Sequence, residues 1–204
     1  MHCPTFTPPS IEIRVEPPDD RVDTTKSLVQ MRAAGKTRHP APVVGVYVGA
    51  VQYGAQIDDT VRTIAAGRVC ATPNYVTLKL TLDRIIFIPR EFADDPCLKS
   101  LSQDHEAKHA DADAKALDGA RPTFEAAVRT AIDRGTRNVS KTSGDALSVL
   151  TAEIRTAANG ALDEMEAARK RLDDAIDNPA ELERLNTACG GRAARPPGDA
   201  TISQ

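Results

Sequence analysis

The sequence predicts an α+β fold: a small, mostly antiparallel sheet, then a helix carrying the candidate site, then a long C-terminal helix. Two observations predict it. Up to about residue 89, apolar residues recur with period two. The cleanest case is 75–82, YVTLKLTL, where Val76, Leu78, Leu80 and Leu82 share one face and Tyr75, Thr77, Lys79 and Thr81 the other. From residue 96 the period lengthens to that of a helix. Strands first and helices after, in chain order, place helices on one face of a sheet.

The elements follow in order. Residues 11–16, IEIRVE, alternate as a short strand that Pro17 and Pro18 end. Residues 19–42 are polar and irregular, with one helical turn near 27–32. Residues 43–53 are β-branched and glycine-punctuated and form a second strand; 60–71 form a third, ending at Cys70. After 75–82, Asp83-Arg84 interrupts the pattern, and 85–89 continues the strand or turns back. Asp95-Pro96 starts a helix, with Asp as cap and Pro at the first helical position. Leu98, Leu101, His105, His109, Ala112 and Ala116 follow as one stripe. Gly119 and Pro122 predict a turn, and a second helix to about residue 133. A long helix opens at Gly144, its apolar positions including Leu147, Leu150, Ile154, Met165 and Leu172; Asn159-Gly160 is a point where it could fold back. Domain boundaries follow: an N-terminal strand and irregular segment (1–42), a core with the motif helix (43–135), a helical extension (136–189) and a disordered tail (190–204).

The chain has 204 residues, enough for a full core, yet only four Phe, three Tyr and no Trp, so Val, Ile, Leu and Ala must fill it. A net charge of −3, with no basic block, argues against nucleic acid. No apolar run is long enough to span a membrane. Cys3, Cys70, Cys97 and Cys189 form no CxxC pair. Their wide spacing suits two disulfides, in any of three pairings. Residues 3–10, CPTFTPPS, read as the start of a mature exported chain whose signal peptide has been removed. Periplasmic or secreted location is the expectation.

The chemistry lies in 104–113, DHEAKHADAD. Residues four apart on a helix point the same way, about 6 Å apart along the axis, so His105 and His109 can offer ring nitrogens to one zinc ion. Glu106 sits about 100° around the helix. It is placed to serve a metal-bound water as general base in peptide hydrolysis, the role of the glutamate in HExxH. A peptide or protein substrate is the implied partner. The third ligand is open. The pattern HExxHxxGxxH fails, with Ala112 and Lys115 at its last two marked positions. Asp113 is too far along the axis and Asp111 faces elsewhere. If a second helix folds back after Pro122, residue 131 falls level with His109. Asp133 is then a candidate by register, Glu125 by sequence spacing and Glu153 from the long helix; His39 is the other interior histidine. An oxyanion donor could come from Tyr47, Tyr53, Tyr75 or His39.

The segment IIFIPREFADDPCLKSLSQDHEAKHADADAKAL resembles a bacterial family of exported, uncharacterised zinc-dependent proteases with a zincin-like core. Cys97, His105-Glu106-His109 and Asp111 stand at its marked positions. The resemblance covers about residues 43–135 and implies metallopeptidase chemistry. Two other readings stand beside it: a non-catalytic cell-envelope binding module using the long C-terminal helix, and a degenerate zincin that binds zinc only.

Overall fold

The computed structural model describes Cys3, residues 7–34 and residues 44–194. Residues 35–42 of the expected irregular segment, with His39, lie outside the described residues, as do Val43 at the expected start of the second strand and the tail from residue 195 on.

Ser10–Val15 (β1) forms where the alternation predicts it. Pro17 and Pro18 lack the N–H a ladder needs and end it. A second strand, Asp19–Asp23 (β2), follows directly in the segment read as irregular. Leu28–Ala34 (α1) extends the expected helical turn. Val46–Thr63 (β3) is one 18-residue strand, and Val69–Phe87 (β4) runs through Asp83-Arg84 without interruption. No separate strand spans 60–71: a short 3-10 turn at Ala65–Gly67 lies there. Then come Pro96–Gly135 (α2), Ser143–Ile176 (α3) and Pro179–Thr187 (α4).

The fold is α+β, but the expected antiparallel sheet is corrected. β1 and β2 both pair with β4 in parallel, in the order β1-β4-β2, and β3 pairs with β4 as well. Parallel strands need a long crossover between them. The chain supplies one, because α1 and β3 intervene before β4 begins. A period-two pattern reports which residues face the core and is blind to strand direction.

The chain divides into two compact units. The first comprises Met1–Pro17, Val51–Thr81 and Ala116–Ala168. Here β1 lies in register with β4, Ile11 against Val76 and Ile13 against Leu78, and the Cys3–Cys70 disulfide closes. Its interior holds Val76, Leu78, Leu80, Phe124, Val128, Leu150, Ile154 and Met165. From Leu150 to Met165 the stripe of α3 is turned into the unit's own core, while Leu172 is exposed and lies in the second unit, and Asn159-Gly160 does not break the helix. Gly119 and Pro122 do not break α2 either. Leu117, Ala120, Phe124, Val128 and Ala131 continue its buried face at near four-residue steps, and that burial outweighs the bond lost at Pro122.

The second unit comprises Pro18–Ala50, Leu82–Lys115 and Arg169–Gln204. Its apolar cluster is Val44, Ile88, Phe92, Leu98, Leu101, Leu185 and Ala193. The Cys97–Cys189 disulfide lies beside it, with Cys189 packed against the cluster. A 3-10 turn at Ala188–Gly191 and the buried Ala193 give structure to the described start of the segment read as a tail. Among the described residues, no helix is long and apolar enough to cross a membrane.

Candidate metal centre

Asp95 caps α2: its Oδ1 accepts from the backbone N–H of Cys97 (3.0 Å) and Leu98 (3.2 Å). The register so set turns Leu98 and Leu101 into the apolar cluster. One turn on, it buries a run of polar groups: Ser102, His105, Glu106, His109 and Asp113. Buried polar groups need partners, and those of the histidines and Asp113 define the site.

The two imidazoles meet edge to face, ring centres 5.1 Å apart. Both point Nε2 at the same oxygen, Oδ1 of Asp177, at 3.4 Å from His105 and 3.3 Å from His109. Asp177 follows directly after α3. The three ligand atoms lie within 4.8 Å of one another. A tetrahedral ion with bonds of about 2.0–2.1 Å spaces its ligands by about 3.3–3.4 Å, so both N···O separations already match. The outer ring nitrogens are held too. His105 Nδ1 lies 3.1 Å from Glu181 Oε1 on α4, and His109 Nδ1 lies 2.9 Å from Asp173 Oδ1 on α3. A carboxylate on the far nitrogen sets tautomer and ring orientation, as metal-binding histidines require. Lys108 and Arg184 in turn hold Glu181, at 2.7 and 2.6 Å.

The electrostatics follow from these contacts. Burial lowers the pKa of His109, but its bonds to Asp173 and Asp177 outweigh that and lift it to about 10. His105 is raised for the same reason: burial is outweighed by Asp177, by the charge of Glu106 and by Glu181. Bonds to the two histidines hold Asp177 well below the carboxylate range. Arg184 does so for Glu181, with help from Lys108 and His105. Burial pushes Glu106 up to about 7, against the pull of both histidines.

Glu106 lies against the start of β3. A Cβ at Gly45 would come within 2.7 Å of its Oε1 and 2.6 Å of Ser102 Oγ, so a larger residue there would have to push both side chains aside. The Tyr47 backbone N–H donates to Glu106, and the Tyr47 ring stacks on His109 with centres 6.2 Å apart. The Tyr47 hydroxyl donates to Asp113 Oδ2 (2.5 Å), while Arg169 Nε donates to Asp113 Oδ1 (2.5 Å) and Arg169 Nη2 to the Gly49 carbonyl (2.9 Å). Asp113 therefore anchors β3 and α3 to α2, and burial with that bond raises the Tyr47 pKa.

The structure brings His105, Glu106 and His109 onto one buried face. It does not bring in the expected third ligands: Glu125 pairs with Arg129, Glu153 with Arg134, and Asp133 is exposed. The register that favoured Asp133 required α2 to fold back after Pro122. Tyr53 bonds Asn159 and the Arg155 carbonyl, and Tyr75 bonds Glu12, so neither belongs to this group. Asp173, Asp177 and Glu181 went unread. Their signal was available: acids at four-residue intervals match the four-residue spacing of the histidines.

Two nitrogens and one carboxylate oxygen converge on one point, and the Asp177 side chain is 46% exposed, so the point opens to solvent on that side. The donor set suits a divalent transition metal, zinc among them. Comparisons with protein-family models, with curated proteins and with solved structures find no match to this chain.

Proposed function

We propose that the chain is a zinc-dependent hydrolase acting on peptide bonds, with His105, His109 and Asp177 holding one zinc ion and Glu106 as general base. One observation carries the reading: both Nε2 atoms face a single Asp177 oxygen at tetrahedral ligand spacing, while carboxylates hold both outer nitrogens. Two histidines and a carboxylate leave a fourth position open, the ligand pattern of catalytic rather than structural zinc. Zinc bound there would supply a water acidified to a pKa of about 7. Glu106, adjacent to His105 and pushed up to about 7, can take a proton near neutral pH and return it to a leaving amine. Tyr47 steadies both partners, through its N–H on Glu106 and its ring on His109. The peptide substrate rests on the HExxH motif and on the family that the segment around it resembles. Two disulfides support a periplasmic or secreted location.

A second reading, zinc binding without catalysis, is favoured by one observation. Glu106 is 3% exposed beneath Gly45, a confined position for a group that must meet substrate water. Zinc per chain, measured on untagged protein purified without chelator, tests the site. The expected result is one zinc in the native chain and loss in His105→Ala and Asp177→Ala. No zinc after reconstitution of oxidised protein would refute it and favour a cell-envelope binding module. Glu106→Gln then separates the two readings. Peptide hydrolysis lost with zinc retained marks the enzyme, and no hydrolysis by the native chain marks the binder.

A further inference from the structure

We infer that Cys97 and Cys189 are positioning residues of the metal site, and that zinc binds more tightly when their disulfide is closed. This rests on the zinc reading above. The histidines sit within one long helix, but Asp177 and Glu181 reach them on a short segment. Beyond Ile176 the chain passes through Asp177 to Asn178, whose Oδ1 caps α4 by accepting from Ala180 and Glu181 N–H at 3.0 Å each. α4 has nine residues and one buried side chain, Leu185. A helix so short does not hold itself together in water. Its near end is set on α2 by Glu181, bonded to His105 and Lys108. Its far end returns to the same helix through Cys189, bonded to Cys97 in the first turn of α2. Cys97 stands eight residues before His105, about 12 Å along the axis. The disulfide and the Glu181 contact thus fasten opposite ends of α4 to one rigid element, with Asp177 one residue before its cap.

Two features make the disulfide able to respond. Cys97 is exposed, so a thiol reductant can reach it. Cys189 has φ +55°, in the left-handed region that side chains avoid, and Gly190 and Gly191 continue that region at +70° and +74°. The closed bond ties this left-handed turn to Cys97, beside the contacts that Arg192 makes with the Cys189 carbonyl and with Asp95. In the exchange, a dithiol reductant gives two electrons: the Cys97–Cys189 S–S bond breaks, each sulfur takes a proton, and the reductant closes its own disulfide. Linkage makes the effect reciprocal, so the factor by which closure tightens zinc is the factor by which zinc favours closure.

The molecule holds its own control. Cys3–Cys70 lies in the unit that contains no residue of the metal group. Zinc affinity is measured in chelator-buffered zinc for the native chain, for C97S/C189S and for C3S/C70S, all checked for folding by circular dichroism. Serine removes the thiols, so no new thiolate can bind the metal. The expected result is at least tenfold weaker binding in C97S/C189S and a change under twofold in C3S/C70S. Should C97S/C189S not fold, the native chain decides. Its two disulfides are titrated in glutathione redox buffers with and without fixed free zinc, and read by alkylation and mass spectrometry. Zinc should move the Cys97–Cys189 midpoint to more reducing values, about 30 mV for a tenfold coupling, and leave Cys3–Cys70 in place. Unchanged zinc affinity in folded C97S/C189S, or a midpoint that stays or moves the other way, overturns this inference and leaves the metal site standing. No zinc bound by the oxidised native chain overturns both.

Discussion

Raising the pH from 7.0 to 8.5 should tighten zinc binding by at least about 30-fold. Each histidine must lose the proton on Nε2 before that nitrogen can hold a metal. Ordinary histidines, near 6.5, would have lost it by pH 7.5, and affinity would then level off. Here the surroundings keep the proton on. His109 is lifted to about 10 because its bonds to Asp173 and Asp177 outweigh burial, and His105 is raised as well. Zinc must therefore displace at least one proton across this range. Each proton contributes a tenfold change, about 1.4 kcal/mol, per pH unit. One proton over 1.5 units gives about 30-fold; two would give about 1,000-fold. The sign is fixed: protons compete with the metal, so higher pH favours zinc. The assay is a competition titration against a zinc indicator at four pH values, with free zinc set by a chelator of known proton affinity. An affinity flat above pH 7.5 would refute the reasoning, since the histidines would then be titrating as free side chains.

Other outcomes follow from the same contacts. Asp173→Asn and Glu181→Gln should each weaken zinc by about 10–100-fold, and Asp173→Asn should also flatten the pH dependence, both read in the same titration. Metal-free protein should lose stability as pH rises from about 6.5 toward 10: the folded pKa of His109, about 10, lies above its unfolded value, so its contribution is full below the unfolded pKa and is lost through the folded one. Urea midpoints at pH 6, 8 and 10 test this, and a flat or rising series would contradict it. Arg169→Ala removes the guanidinium from Asp113, which is fully buried. Breaking such a pair costs about 3–5 kcal/mol, a fall in Tm of roughly 6–20 °C for a chain of this size; a fall under about 2 °C would show that the pair does not anchor β3. Gly45→Ala should cost about 1–3 kcal/mol by pushing on Ser102 and Glu106, and should lower hydrolysis while zinc stays bound, as metal analysis and a peptide-cleavage assay on one preparation would report.

How much of the fold was legible depended on which interactions set each feature. The buried face of β4 was plain, because alternation is a local consequence of pleating: Val76, Leu78, Leu80 and Leu82 all lie within. The start of α2 was plain for a similar reason, since a cap acts over three residues. Strand direction was not, because β1 and β2 meet β4 some sixty residues later and nothing in their own sequence records it. The break expected at Gly119 and Pro122 failed for a third reason. Helix-breaking residues carry a local penalty, and Phe124, Val128 and Ala131 continue the inward stripe past them. Weighing stripe against breaker would have kept α2 whole.

The same reading also hid Asp177, the third member of the candidate cluster. With α2 cut at Pro122, the next helix seemed bound to fold back beside the histidines, and Asp133 or Glu125 became the natural candidates. With α2 continuous, an acid facing the histidines comes from a separate element, and the useful question is which other stretch repeats at the same interval. His105 and His109 are one turn apart. Asp173, Asp177 and Glu181 are spaced by the same four residues, and they meet the histidines in alternation: Asp177 between the two inner nitrogens, Asp173 and Glu181 on the two outer ones. Three acids on two histidines also account for the charge. They raise the pKa of both imidazoles, so a metal ion offered to the cluster would compete with protons for the inner nitrogens. A pair of histidines buried for packing alone would need one neutral partner each, not a carboxylate on all four ring nitrogens.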